Sequence, residues 1–491
     1  MGIGLFEGFV HALTPISLFY CFLGALLGTV VGVLPGLGPA ATMAILLPLI
    51  GHIPITGSII MLAGIYYGAM YGGSTTSILM NVPGEAASAV TCLDGFEMTK
   101  QGRAGEALAI AAIGSFIAGT GGVVLLSFAG PILADFALTF GPPEYFGLVL
   151  FGLTTLLSFS GRQILKGAIT GLVGILLACI GLDPVSGKAR LAFGIPEFLS
   201  GVNIIPILMG VFGLAEVLAS AEEGIASIYK GTLGKFLPRG EELRKGIMAS
   251  VRGTIAGLVL GLLPGMISSL TTFIVYDIEK RISKYPDRFG KGVIEGVAAP
   301  EAANNATAQA GFIPLIAMGI PTAPIFGILL AALMMYGLTP GPLLFTQHGE
   351  FVWTVIASMY LGNVMLLILN LPLVGLWARL CLIPYRILAP LILGICFVGA
   401  YSLRNNMFDV WTSLFFGVLG LLMRKRNWPI PPLILGVILG DMFEQNLRAS
   451  LQLSAGSLTI FFQRPIALTF VVLSVISVLV SRKLWAKEAK G

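Results

Sequence analysis

Residues 26–36 read LLGTVVGVLPG and residues 255–265 read IAGLVLGLLPG, with Gly, Val, Gly, Leu, Pro and Gly shared at six of eleven positions. The first closes the apolar run 13–34 and the second lies inside the run 254–276, each near the length of about 20 residues that crosses a bilayer core. Proline lacks an N–H and glycine accepts dihedrals closed to other residues, so both runs are expected to break at the Leu-Pro-Gly. A second, weaker correspondence lies downstream, where Asn81-Val82-Pro83-Gly84 stands against Gly319-Ile320-Pro321-Thr322. Paired halves with Gly/Pro-broken apolar segments at matching places are the sequence pattern of secondary transporters. The alternative is a chance likeness between glycine-rich helices, since small residues are favoured wherever membrane helices touch.

The composition fits that reading. Of 491 residues 56% are hydrophobic and 11% charged, against about 25% charged in soluble domains. Glycine numbers 64, nearly twice the usual ~7%. The fold class expected is an all-α polytopic membrane protein, with roughly ten to twelve transmembrane or re-entrant helices in two related halves of inverted topology. A β-barrel is excluded, because runs such as 110–128 and 466–480 lack the alternation that barrel strands require. The net charge of +5 reads as a cytoplasmic excess of basic residues, with no nucleic-acid surface. The five cysteines include no CxxC pair, so no disulfide framework or zinc site is indicated. The first basic residue is Lys100, so no secretory n-region or transit peptide is evident and the mature chain is expected to start near Met1.

Residues 1–229 are expected to form an N-terminal transmembrane half and 230–252 a cytoplasmic connector rich in Lys and Arg. Residues 253–491 would then form the C-terminal half with extra helices, its Arg424-Lys425-Arg426 and basic tail also cytoplasmic. One conflict follows. If 254–276 crosses the bilayer once, then Lys280, Arg281, Lys284, Arg288 and Lys291 fall opposite the connector. The admixed acids Asp277, Glu279, Asp287 and Glu295 leave the side of 277–295 open.

Within this frame the polar residues are few. Leu34-Pro35-Gly36-Leu37-Gly38-Pro39-Ala40-Ala41 contains GxGxxA, but a membrane-length apolar run precedes it, so it is not a dinucleotide fingerprint. A half-helix beginning near Pro39 would turn free N–H groups toward a carboxylate near Gly36 and Gly38, whereas a plain kink is the structural alternative. Gly265 and Ser268 occupy the matching place in the second half. Ser74, Thr75 and Thr76, running on to Asn81, offer neutral hydrogen bonds to an anion, or serve only as helix packing. Asn304 and Asn305 carry both donors and acceptors, enough for a carboxylate on one edge and sodium on the other. Glu301 is an intramembrane acid, functional or an interfacial cap. Asp441, Glu444, Asn446 and Arg448 read as a structural charge network. The scattered His11, His52 and His348 suit no metal spacing. With no Walker lysine, GxSxG or HExxH motif, neither ATP coupling nor an enzyme is supported.

Together GVLPGLGPAATMAILLPL (32–49), YGGSTTSILMNVPGEAASAVTCLDGF (71–96), APEAANNATAQAGFIPLIAMGIP (299–321), GLTPGPLLF (337–345) and residues 404–451 resemble the large membrane subunit of the tripartite tricarboxylate transporter family. The resemblance implies a permease working with a small transmembrane subunit and an extracytoplasmic solute-binding protein. It would sit as a multi-pass protein in a prokaryotic inner membrane and import di- or tricarboxylates by cation symport. No cofactor is expected. The co-transported ion is sodium, with the proton as alternative, and Asn304, Asn305 and Glu301 are the coupling residues. Two positions depart from the family pattern: Thr322 stands where a glycine is usual, and Met266-Ile267 follows the second Leu-Pro-Gly. The rival function is an uncoupled channel-like or scaffold protein.

Overall fold

The computed structural model describes residues 4–34, 38–158, 163–183, 186–220, 234–263, 265–380 and 385–488. Gly36 therefore lies outside the described residues. Helices dominate, and among the described residues the strands are the two-residue pair Gly181–Leu182 and Ala189–Arg190. Among the described residues, five helices are long and apolar enough to cross a membrane: Pro15–Val33, Ile55–Met80, Ala104–Ala137, Gly349–Asn370 and Met407–Lys425. Large apolar side chains such as Phe19, Phe128, Ile132, Ile255, Val259 and Phe415 point outward from helix faces. A surface this apolar needs lipid around it, so the chain is an all-α polytopic membrane protein.

The elements that build the centre are α1 (Pro15–Val33), α2 (Pro39–Ile50), α3 (Ile55–Met80), α4 (Thr91–Lys100), α5 (Ala104–Ala137), α6 (Glu241–Gly261), α7 (Ser268–Ile282), α8 (Glu295–Ala310), α9 (Phe312–Met318), α10 (Pro324–Met335) and α11 (Gly349–Asn370). Gly24, Gly28 and Gly32 let α1 lie directly on α3. A Cβ at Gly28 would stand 2.6 Å from the Ile65 carbonyl oxygen, and one at Gly24 would stand 2.5 Å from that of Met61. The second half repeats the device. Gly253, Gly257 and Gly261 of α6 face Ala299, Ala303 and Thr307 of α8, and a Cβ at Gly257 would be 2.6 Å from the Ala303 carbonyl. In both pairs the contact numbers rise together, so the paired helices run parallel and a shorter helix returns between them.

The two units oppose one another. Ser74 meets Glu301 while Tyr66 stacks near Phe312, so positions climb along α3 as they descend along α8. Residues 81–84 and 319–322 also agree in backbone, since Asn81 (φ 57°) and Gly319 (φ 72°) each close a helix in the left-handed conformation. Glycine enters that region freely and asparagine tolerates it.

The conflict over 277–295 has a geometric answer. Residues 254–276 do not make one crossing: α6 ends at Gly261, α7 starts at Ser268, and Arg252 pairs with Glu279 across the two arms. The segment is a hairpin whose tip is pinned by the Gly265 N–H donating to the Thr322 carbonyl at 2.9 Å. Both basic clusters therefore lie at the same end. Arg103 bonded to Glu242, and Gln101 bonded to the Lys291 carbonyl at 2.8 Å, tie α4 and α5 to that end. Asp94 fastens the following loop by accepting from the N–H groups of Gly290, Gly292 and Val293.

Part of the expected charge network forms, while the Asn446 amide donates within its own helix to the Met442 carbonyl at 2.7 Å. Glu444 pairs with Arg448 at 2.6 Å, and the structure adds Arg190 at 2.5 Å and Asp183, which holds Arg448 at 2.9 Å.

Candidate functional site

The site lies where the C-terminal half of α3 crosses α8. From Gly57 to Met80 every residue of α3 is buried, because small residues let neighbouring helices close on it from each side. Gly72 and Gly73 divide the work. A Cβ on Gly72 would strike α1, at 3.0 Å from Gly32 Cα, while one on Gly73 would stand 2.7 Å from the side chain of Glu85. Gly73 thus leaves the room into which Glu85 folds back from the loop after α3.

Every residue of α8 from Gly296 to Ala310 is buried, and its alanines give α6 close access. The polar residues it carries sort by face. Glu301 and Asn304, one turn apart, turn toward α3 and the 85–91 segment. Glu301 accepts hydrogen bonds from Ser74 Oγ at 2.7 Å and from Thr91 Oγ1, and Asn304 Nδ2 donates to Glu85 at 2.8 Å. Glu85 also accepts from the Ala87 N–H at 2.9 Å as the cap of the next turn. The two acids thus sit against one face of α8, Glu85 on Asn304 and Glu301 one turn before it, and the partners that hold them are all neutral. Asn305 and Gln309, again one turn apart, turn toward α5. Asn305 Nδ2 donates to Ser115 Oγ at 2.7 Å, and the stem of Gln309 occupies the space left by Gly122.

The residues expected from sequence fare unequally. Ser74, Asn304 and Glu301 come together as described, whereas Asn305 lies on another face of α8, toward Ser115 of α5. Thr75 is buried beside them, whereas the Thr76 hydroxyl donates along its own helix to the Gly73 carbonyl at 3.2 Å. Asn81 is exposed and acts as the left-handed cap of α3, so its place in the structure is that of a turn residue. Ser268 begins α7 beside Tyr66 of α3, which also neighbours Glu85. Gly265 holds φ +83° at the hairpin tip. Gly38 caps α2, with nothing within 4 Å of where its Cβ would stand.

The Tripartite tricarboxylate transporter TctA family matches residues 18–435. The chain belongs to this family. Among relatives of the TctA-family chain, the "Uncharacterized 52.8 kDa protein in TAR-I ttuC' 3'region" of Agrobacterium vitis is 45% identical over 480 residues, 96% of this chain and 95% of the relative. The "Uncharacterized protein in TAR-II ttuC' 3'region" of the same organism is 44% identical over 212 residues, 43% of this chain and 88% of the relative. No solved structure matches the chain. The family is one of transport, and the chain is a component of a tripartite tricarboxylate transporter.

Sequence reasoning missed several members of this TctA-family site. Glu85 stands one residue beyond the NVPG turn and reads as part of a loop; the double glycine at 72–73 was the available signal that something folds back on α3. Thr91 gives no such signal. Ser115 lies in a helix that reads as uniformly apolar, and Gln309 follows Asn305 by four residues, the spacing that puts two side chains on one helix face.

Proposed function

We propose that the chain is the large permease subunit of a carboxylate transporter that imports di- or tricarboxylates by cation symport across a prokaryotic inner membrane. An extracytoplasmic solute-binding protein delivers the substrate, and a small transmembrane subunit completes the complex. The observation that carries this reading is the gathering of two acids, Glu301 on α8 and Glu85 on Asn304 one turn along it, between two opposed, glycine-zipped units and held by neutral groups. An isolated buried anion is strongly disfavoured, and a second anion brought beside it is repelled. An anionic substrate approaches such a pair more readily together with a cation or proton, which supports a coupled mechanism.

Charge arithmetic points the same way. Each unit charge moved against the membrane potential costs about 2.3 kcal/mol per 100 mV, so a dicarboxylate needs two cations for neutral import and a third for the potential to assist. Sodium is the first choice because neutral amides on α8, Asn304 toward Glu85 or Asn305 toward α5, can ligate it without a fixed charge. The proton is the alternative, with Glu301 as carrier. Thr75 and the α2 N-terminus beyond Gly38 supply donors for substrate carboxylates, while the Ser74 hydroxyl is engaged by Glu301.

Uptake of labelled carboxylates into proteoliposomes holding the complete transporter tests the proposal. Accumulation should follow an imposed sodium gradient at fixed pH and collapse when the gradient is dissipated. Equilibration without accumulation under every gradient would favour the channel-like alternative.

A further inference from the structure

We propose that Asn305, Gln309 and Ser115 form a sodium site on the α5-facing side of α8, separate from the side that carries Glu301 and Asn304. The inference rests on the symport reading above and assigns its ion to particular atoms. Asn305 and Gln309 are each 1% exposed, and the side-chain oxygen of each has no hydrogen-bond partner. Buried acceptors are almost always satisfied, so two left open a single turn apart mark a place where something binds.

The orientation of the Asn305 amide is fixed by its neighbours. Its Nδ2 donates to Ser115 Oγ at 2.7 Å and to the Glu301 carbonyl at 3.3 Å. Turned over, the amide would set its oxygen against that carbonyl, which has no proton to give. The oxygen must therefore face away, into the space beside Gln309. Side chains on a helix lean toward its N-terminus, which carries Gln309 back over Asn305, and Gly122 of α5 provides the room.

The adjoining network offers a contrast. Tyr71 donates to Asn363 Oδ1 at 2.6 Å, and Asn363 Nδ2 donates to the Phe116 carbonyl at 2.9 Å and to Thr120 Oγ1 at 2.8 Å. That amide has its partners; the pair on α8 does not. What is missing must offer positive charge or donors to neutral oxygens. A divalent cation would require carboxylates in its shell, and none of the three residues carries one. A monovalent hard cation satisfies two amide oxygens and a hydroxyl without a fixed counter-charge.

Binding of sodium-22 to the purified full-length protein, together with the sodium dependence of uptake, decides the matter. Gln309→Leu should weaken sodium affinity by roughly tenfold or more and raise the sodium concentration for half-maximal uptake in parallel. Substrate affinity at saturating sodium should stay unchanged. Gln309→Glu, which keeps an oxygen ligand, should retain sodium binding. If Gln309→Leu fails to fold, Ser115→Ala is read in the same way. Wild-type sodium binding together with equal binding by the folded variant would overturn the site while leaving symport intact. Absence of sodium binding by the wild type, with uptake indifferent to sodium, would overturn the site and the sodium assignment, leaving water as the occupant and the proton as the coupling ion.

Discussion

Arg252 and Glu279 form an ion pair between the arms of the α6–α7 hairpin, with Glu279 buried and Arg252 partly exposed. The pair requires that both arms begin and end at one membrane face. Arg244 and Lys284 are exposed at that end. Cysteines placed at these two positions should therefore react with a membrane-impermeant maleimide from the same side of oriented vesicles. Labelling from opposite sides would mean that 254–276 crosses after all.

The glycines of the two zippers and the glycine at the hairpin tip should fail differently. Gly28→Val and Gly257→Val drive a side chain into backbone already at the limit of approach, and overpacking of this kind costs about 1–3 kcal/mol or more. Loss of folded protein is expected, visible as a lower melting temperature or absent expression. Gly265→Val instead forces a branched residue to φ +83°, a local strain of about 1–2 kcal/mol. It should insert normally and transport poorly. Wild-type uptake by inserted Gly265→Val would show that the tip conformation is dispensable.

These contrasts mark what was legible in the chain. The LPG repeat could be read because both copies carry their signal within eleven neighbouring residues, and the glycines ahead of the proline inside each copy, with Gly24 and Gly253 just before the copies, form the packing stripe itself. The Ser74–Glu301 bond could not be read, since its partners are 227 residues apart and nothing local records which face of an apolar helix turns inward. Residues 254–276 have the length of one crossing, so hydropathy hides a hairpin whose turn spans only the few residues between Gly261 and Ser268. Asn81 was taken for a ligand on residue type, yet an asparagine closing a helix at positive φ serves the backbone.

Asn304 donates to Glu85 from a fully buried position, and its own oxygen is left open beside the carboxylate pair. Removing the amide deletes a donor to a carboxylate and a contact available to substrate. Asn304→Ala should weaken apparent substrate affinity by about 1–2 kcal/mol, roughly five- to thirtyfold. Concentration-dependent uptake at saturating cation measures it, and an unchanged half-saturation would reduce Asn304 to a packing residue.

Glu301 offers the sharpest test of coupling. Ser74 and Thr91 hold both of its oxygens, so Glu301→Gln preserves shape and one acceptor while removing the charge that an anionic substrate must face. In the wild type, binding of the anion should tighten as the neutralising cation, sodium or proton, is raised, because neutralisation removes the repulsion. In the variant Glu301's share of that repulsion is permanently absent, and only that of Glu85 remains. Substrate binding by Glu301→Gln should therefore depend less on the coupling cation, while accumulation against a gradient is lost because the charge no longer enforces co-transport. Binding isotherms of both proteins across sodium concentration and pH separate the two ions, and comparison at each pH cancels the titration of the substrate itself. A variant that retains wild-type cation dependence and wild-type accumulation would remove Glu301 from the coupling mechanism and leave Glu85 as the acid to examine.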